Sequence, residues 1–107
     1  MDITLELLNN SGYINFTKRY DKIYIYISAE EATFNFVVKD MAEFKQFKNV
    51  VKMFLVEAVM HCKEIDLNNV KFFVYVNNDY FTLVFNGIEV SLTKNRMQLL
   101  LNFLVSC

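Results

Sequence analysis

Residues 80–92 read YFTLVF-NG-IEVSL, and this stretch decides the fold class. Asn86-Gly87 between two alternating runs is the short-range signature of a β-hairpin. A two-residue type I′ turn needs positive φ at both central positions, and Asn and Gly reach it with the least strain. Phe81, Leu83 and Phe85 then share one face of the strand, while Tyr80, Thr82 and Val84 share the other. Strands joined this tightly must be antiparallel.

On the N-terminal side, Val70–Val76 alternates in the same way and joins the hairpin through Asn77-Asn78-Asp79. On the C-terminal side, Thr93 reads as the N-cap of a helix over 94–105. Met97, Leu100, Leu101 and Leu104 form its buried stripe, and Phe103 and Val105 broaden it. Earlier in the chain the pattern recurs. Strands are expected at Tyr13–Tyr20, Ile23–Ser28 and Thr33–Val38, preceded by a further strand at Ile3–Leu8. A helix over 41–63 follows. Asp40 and Glu43 are spaced as a capping box, and Phe44, Phe47, Val51, Phe54, Leu55, Ala58 and Cys62 recur at helical steps. From Met53 the stripe widens, so this half of the helix is expected to be covered on more than one side. Glu64–Asn69 reads as a polar connector, and the Gly12 and Gly87 positions as turns.

The expected fold is one α+β domain over residues 1–107. It has an antiparallel sheet of six to seven strands and two helices on one face, in the order (β)βββα-βββα. Residues 13–63 and 70–106 form a pseudo-repeat with little residue identity between the halves.

Composition narrows the function. The chain has 107 residues, 54% of them hydrophobic, with 11 Phe and 6 Tyr. It is long enough to bury about 60–70% of its unfolded surface without metals or disulfides. The net charge of −1 gives no general attraction to nucleic acid. Lys outnumbers Arg 9 to 2, Asn is abundant, and Pro and Trp are absent. That balance fits an AT-rich genome of the kind found in low-GC bacteria and their phages. No basic segment precedes an apolar run at the N-terminus, and no apolar run reaches bilayer length. A cytoplasmic protein of a bacterial or other host cell is expected, with Cys62 reduced in the core.

The candidate chemistry is sparse. His61 is the single histidine. Cys62, its neighbour, points about 100° away on a helix and cannot be its partner, whereas Glu57 at i−4 can pair with it structurally. Cys62 and Cys107 are not spaced as metal ligands. No clustered glycines precede a helix to cradle phosphate. Glu30–Glu31 and Glu64/Asp66 read as solvated loop charge. No enzyme activity, cofactor or metal is expected.

Two features point to binding. Lys45, Lys48 and Lys52 form a basic row on the first helix, and Lys18, Arg19 and Lys22 crowd the first hairpin. With sheet tyrosines, such cations suit single-stranded nucleic acid. A solvated helix face explains the same row more simply. The second feature is an aromatic surplus. If Ile23, Ile25 and Ile27 pack under the helices, Tyr24, Tyr26, Phe73, Tyr75 and Tyr80 line the opposite sheet face, with Val84 among them. Tyrosine combines contact area with a polar tip, which suits a protein interface. The expected function is a non-enzymatic protein-binding module that docks a foreign partner or a second copy as a homodimer. A phage or mobile-element protein inhibiting a host or defence protein fits this description. A single-stranded nucleic-acid-binding module is the alternative.

Overall fold

The computed structural model describes residues 1–29, 32–39, 41–57, 62–67, 70–77 and 79–107, giving the backbone alone for residues 56, 57, 62 and 63. Strands β1 (Asp2–Glu6), β2 (Gly12–Arg19), β3 (Lys22–Ala29) and β4 (Ala32–Val38) are followed by helix α1 (Met41–Lys52). Strands β5 (Cys62–Leu67), β6 (Val70–Asn77), β7 (Tyr80–Phe85) and β8 (Ile88–Thr93) are followed by helix α2 (Lys94–Ser106). They form two separate four-stranded antiparallel sheets, each with its strands in chain order.

This corrects the expected single sheet of six to seven strands. The order is ββββα-ββββα, with eight strands in two sheets. The missing strand is β5. In the sequence, Cys62 and Lys63 read as the end of the first helix and Glu64–Leu67 as part of a polar connector, because Glu64 and Asp66 break up the run. In the structure Leu67 is buried and Ile65 half-buried, while Glu64 and Asp66 are exposed. That is the alternation of a strand with one face in solvent. With β5 in place, the second half completes a sheet of its own, and α1 carries the chain away from β4. The helices therefore do not share one face of one sheet. Both lie between the two sheets: α1 touches β3 and β5, and α2 touches β1, β7 and β8.

The first helix is also shorter than expected. It is α-helical to Lys52 and continues as a π-helical turn over Met53–Glu57. The change comes where the sequence stops being amphipathic, since Met53–Val56 is apolar at every position and no polar face fixes the helical phase. The expected helix end at residue 63 is overturned, because β5 begins at Cys62. The Asp40 cap, the Glu30–Glu31 loop, His61 and its pairing with Glu57 lie outside the described residues.

Turn and cap chemistry matches the sequence. Asn86 has φ 51° and Gly87 has φ 87°, enclosed by the Phe85↔Ile88 pair. Asn86 also locks the neighbouring strand: its side-chain Oδ1 accepts from the Lys71 backbone N–H at 2.7 Å, and its backbone N–H donates to the Lys71 carbonyl at 2.9 Å. Thr93 caps α2, its hydroxyl accepting from the Arg96 amide at 3.3 Å. Gly12, at φ 140°, lies against β3, where a Cβ would collide with the Ser28 carbonyl oxygen. Val105, read as part of the α2 stripe, instead faces solvent.

One continuous core joins the two halves. Ile14, Phe16, Ile23, Ile25 and Ile27 supply it from the first sheet; Phe72, Val74, Leu83, Phe85 and Leu92 supply it from the second. Phe47 of α1 is the joint. Its ring lies 6.1 Å from Phe16, 4.9 Å from Phe72 and 6.4 Å from Phe85. Phe36 of β4 adds a second bridge, stacking on Phe85 at 5.6 Å. The helices touch each other, α1 reaches β5, and α2 reaches β1. Because the helices fill the inner faces, the alternate residues of each strand, tyrosines among them, turn to the outer faces.

Candidate functional site

The alternation that buries Ile23, Ile25 and Ile27 turns Tyr24 and Tyr26 outward. The same rule sends Phe73, Tyr75 and Tyr80 outward from the second sheet. The five aromatics named from sequence thus lie on two faces of two different sheets, rather than on one surface. What each face does with its polar tips separates them.

On the second sheet the tips are occupied within the chain. The Tyr75 hydroxyl donates to Glu89 Oε1 at 2.8 Å, and the Asn77 side-chain amide donates to the Tyr80 hydroxyl at 2.9 Å. Thr82 and Ser91 share a hydrogen bond at 3.0 Å beneath them, and the Phe73 and Tyr75 rings lie 5.8 Å apart. Donation to the Glu89 carboxylate raises the Tyr75 pKa above its ordinary value. Phe73, Tyr75 and Tyr80 are all half-buried. This face is knitted to itself.

On the first sheet the tips are open. Tyr24 is 40% exposed and Tyr13 38%, and the Tyr13 and Tyr26 rings lie 6.0 Å apart. Among the described residues none of these three hydroxyls has a hydrogen-bond partner, and neither the Arg19 guanidinium nor the Asn35 amide has one. Beside Tyr24 and Tyr26 lies a depression of about 260 Å³, lined also by Thr17, Arg19, Asn35 and Val37. Its floor is stiff. The Asn15 side-chain amide donates to Thr4 Oγ1 at 2.9 Å and to the Ile3 carbonyl at 3.2 Å, while its Oδ1 accepts from the Thr17 hydroxyl at 2.8 Å.

Sequence reasoning missed Tyr13, Thr17 and Asn35. The signal was present in register. A two-residue connection between Arg19 and Lys22 pairs Asn15 with Tyr26 and Tyr13 with Ser28, and so lays Tyr13 beside Tyr26.

The six cations do not converge. Lys18 alternates with Ile14 and Phe16, so it lies on the helix side, where its Nζ sits 6.0 Å from the Phe44 ring centroid. Lys48 reaches the same ring at 5.3 Å. Lys45 and Lys52 are exposed on α1, and only Arg19 and Lys22 share the outer face with the tyrosines. Cys107 lies near the Lys18 and Lys48 group, but burial pushes its thiol pKa up against the lowering effect of Lys18. A thiol held protonated is a poor nucleophile.

A wider, open cleft of about 710 Å³ separates the Leu8–Asn10 turn from β8, lined by Asn9, Asn10, Ser11, Tyr80, Glu89 and Ser91. Its one aromatic is already tied through Asn77. Among the described residues no three His, Cys, Asp or Glu side chains group as metal ligands. No described helix is long and apolar enough to cross a membrane. Comparison with family models, curated proteins and solved structures finds no match to this chain.

Proposed function

We propose that this chain is a non-enzymatic protein-binding module that docks a partner through the outer face of its first sheet. One observation carries the reading: among the described residues the Tyr13, Tyr24 and Tyr26 hydroxyls have no hydrogen-bond partner, and Tyr24 and Tyr26 line an Asn- and Thr-containing depression, whereas Tyr75 and Tyr80 of the second sheet are bonded within the chain. Tyr, Asn, Thr and Arg together give rigid aromatic area and adaptable hydrogen bonding, a composition found in protein-recognition surfaces. Only Arg19 and Lys22 bring positive charge to this face, too little to follow a phosphate backbone over several nucleotides. The Lys- and Asn-rich composition, which fits an AT-rich genome, suits an accessory protein of a phage or mobile element that modulates a host protein.

The test is capture on the immobilised chain. Tyr24→Ala with Tyr26→Ala should abolish retention of the partner, each truncation weakening binding by about 2 kcal/mol or more. Phe73→Ala and Tyr75→Ala should leave it intact. The reading fails if the second-sheet variants lose the partner and the first-sheet variants keep it. Light scattering identifies a second copy as the occupant if the dimer depends on Tyr24. An oligo(dT) titration that saturates at low salt and collapses between 50 and about 200 mM salt would favour the nucleic-acid reading instead.

A further inference from the structure

The edge strands of the two sheets are β1, β4, β5 and β8. An open edge is a row of unpaired backbone donors and acceptors, and charged side chains along it discourage pairing with another chain. Three of the edges are guarded in this way. β1 exposes Asp2 and Glu6, β5 exposes Glu64 and Asp66, and β8 exposes Glu89. β4 is the exception. Its sequence, Ala-Thr-Phe-Asn-Phe-Val-Val, has no charge, no proline and no glycine, and is rich in strand-forming residues. Its ladder with β3 runs unbroken from Ala29↔Ala32 to Ile23↔Val38, so no bulge turns the edge away. Among the described residues β4 takes backbone hydrogen bonds from β3 alone, and Ala32, Thr33 and Asn35 are exposed.

The strand's own sequence says what fits this edge. Two β4 strands paired antiparallel about a two-fold axis at Asn35 set Phe34 against Phe36 of the second copy, and Thr33 against Val37. Phe34 and Phe36 both pack against the core, where Phe36 stacks on Phe85 at 5.6 Å. The cross-copy Phe pairs therefore extend an aromatic layer that already exists. Asn35 meets its own copy. An amide is both donor and acceptor, so the two side chains satisfy each other, and among the described residues Asn35 has no side-chain partner. In sequence, Glu30 and Glu31 precede the strand, while Lys39 and Asp40 follow it. Antiparallel pairing keeps the two acidic ends apart, whereas parallel pairing would bring them together. We propose that β4 is a homodimer interface, pairing antiparallel with β4 of a second copy to join two first sheets into one continuous sheet. The two-fold closes the unguarded edge of both copies and leaves only charged edges, so assembly stops at two. This interface is separate from the docking face above, and it sets two Tyr24–Tyr26 depressions on the same side of the joined sheet.

The experiment uses the purified chain alone. Light scattering at rising concentration should show a dimer and nothing larger. Asn35→Lys sets two ammonium groups against each other and should weaken dimerisation at least about tenfold. Under mild oxidation Asn35→Cys should form a disulfide-linked dimer through position 35, located by mass spectrometry, because the two-fold brings that position against itself. Thr33→Cys should not link to itself, since the two copies of position 33 lie about 13 Å apart along the ladder. If Asn35→Lys fails to fold, the two cysteine variants still decide. A chain that stays monomeric at every concentration overturns the proposal, as does a dimer that links through position 33 and not 35. A dimer lost in Tyr24→Ala but kept in Asn35→Lys also overturns it, and assigns the second copy to the docking face instead.

Discussion

Replacing Phe47 with Ala should unfasten both sheets at once. Phe47 is fully buried, and its ring contacts Phe16 of the first sheet and Phe72 and Phe85 of the second. A buried Phe→Ala change costs about 3–5 kcal/mol. This site should lie near the upper end, because the hole is walled by two sheets that cannot both close on it. The edge-on pair with Phe72 alone is worth about 0.5–1.5 kcal/mol beyond area. A domain of this size has about 5–15 kcal/mol in total, so the variant keeps a fraction of its stability. With a urea slope of about 1–3 kcal/mol per molar, its midpoint falls by more than about 1 M. The assay is urea unfolding followed by circular dichroism, with amide exchange at Ile25 and Leu83 reporting each sheet separately. Phe47→Leu keeps the variant measurable, and a cycle with Phe72→Leu should give a coupling of about 0.5–1.5 kcal/mol. The reasoning is refuted if Phe47→Ala costs under about 1 kcal/mol. It is also refuted if Ile25 loses protection while Leu83 keeps it, because the sheets would then be energetically separate.

Other expectations are smaller and local. Gly12→Ala should destabilise far more than Gly87→Ala: both positions have positive φ, but only at Gly12 does a Cβ strike another strand's backbone. Gly87→Ala should lose about 1 kcal/mol by urea melting, from conformation alone. Thr93→Ala should cost about 1 kcal/mol through the lost cap on Arg96, and Thr93→Ser should restore most of it. The Tyr75 hydroxyl should titrate above the ordinary tyrosine range in an ultraviolet pH titration, and Glu89→Gln should bring it back down. Because the folded value is raised, this hydrogen bond supports the fold fully below the unfolded tyrosine pKa near 10. That support disappears as pH rises through the raised value.

Local chemistry was legible in the sequence wherever one residue type had one job. Asn86-Gly87 gave its turn, Thr93 its cap, and the Ile23/Ile25/Ile27 register its buried face. What depended on partners distant in the chain was not legible. The split into two sheets rests on β5, whose Glu64 and Asp66 hide a strand behind loop-like polarity. Sheet membership then decides that Tyr24 and Tyr75 face different surroundings, although both alternate with core residues in the same way. Lys18 shows the same limit. It is adjacent in sequence to Arg19, yet strand alternation sends it to the Phe44 side and so divides the basic group in two. The distinction between bonded and unbonded tyrosine hydroxyls needs cross-strand register, since Tyr75 meets Glu89 only diagonally across β7.

Photo-crosslinking from single positions tests the proposed docking face most directly. With benzoylphenylalanine placed in turn at Tyr24, Tyr75 and Leu99, and the chain incubated with bacterial lysate, position 24 should form a discrete protein adduct. Excess unlabelled parent chain should compete that adduct away, and the Tyr24→Ala, Tyr26→Ala chain should not. An adduct of equal yield from position 75, or one that the double variant displaces as well as the parent, would contradict the account.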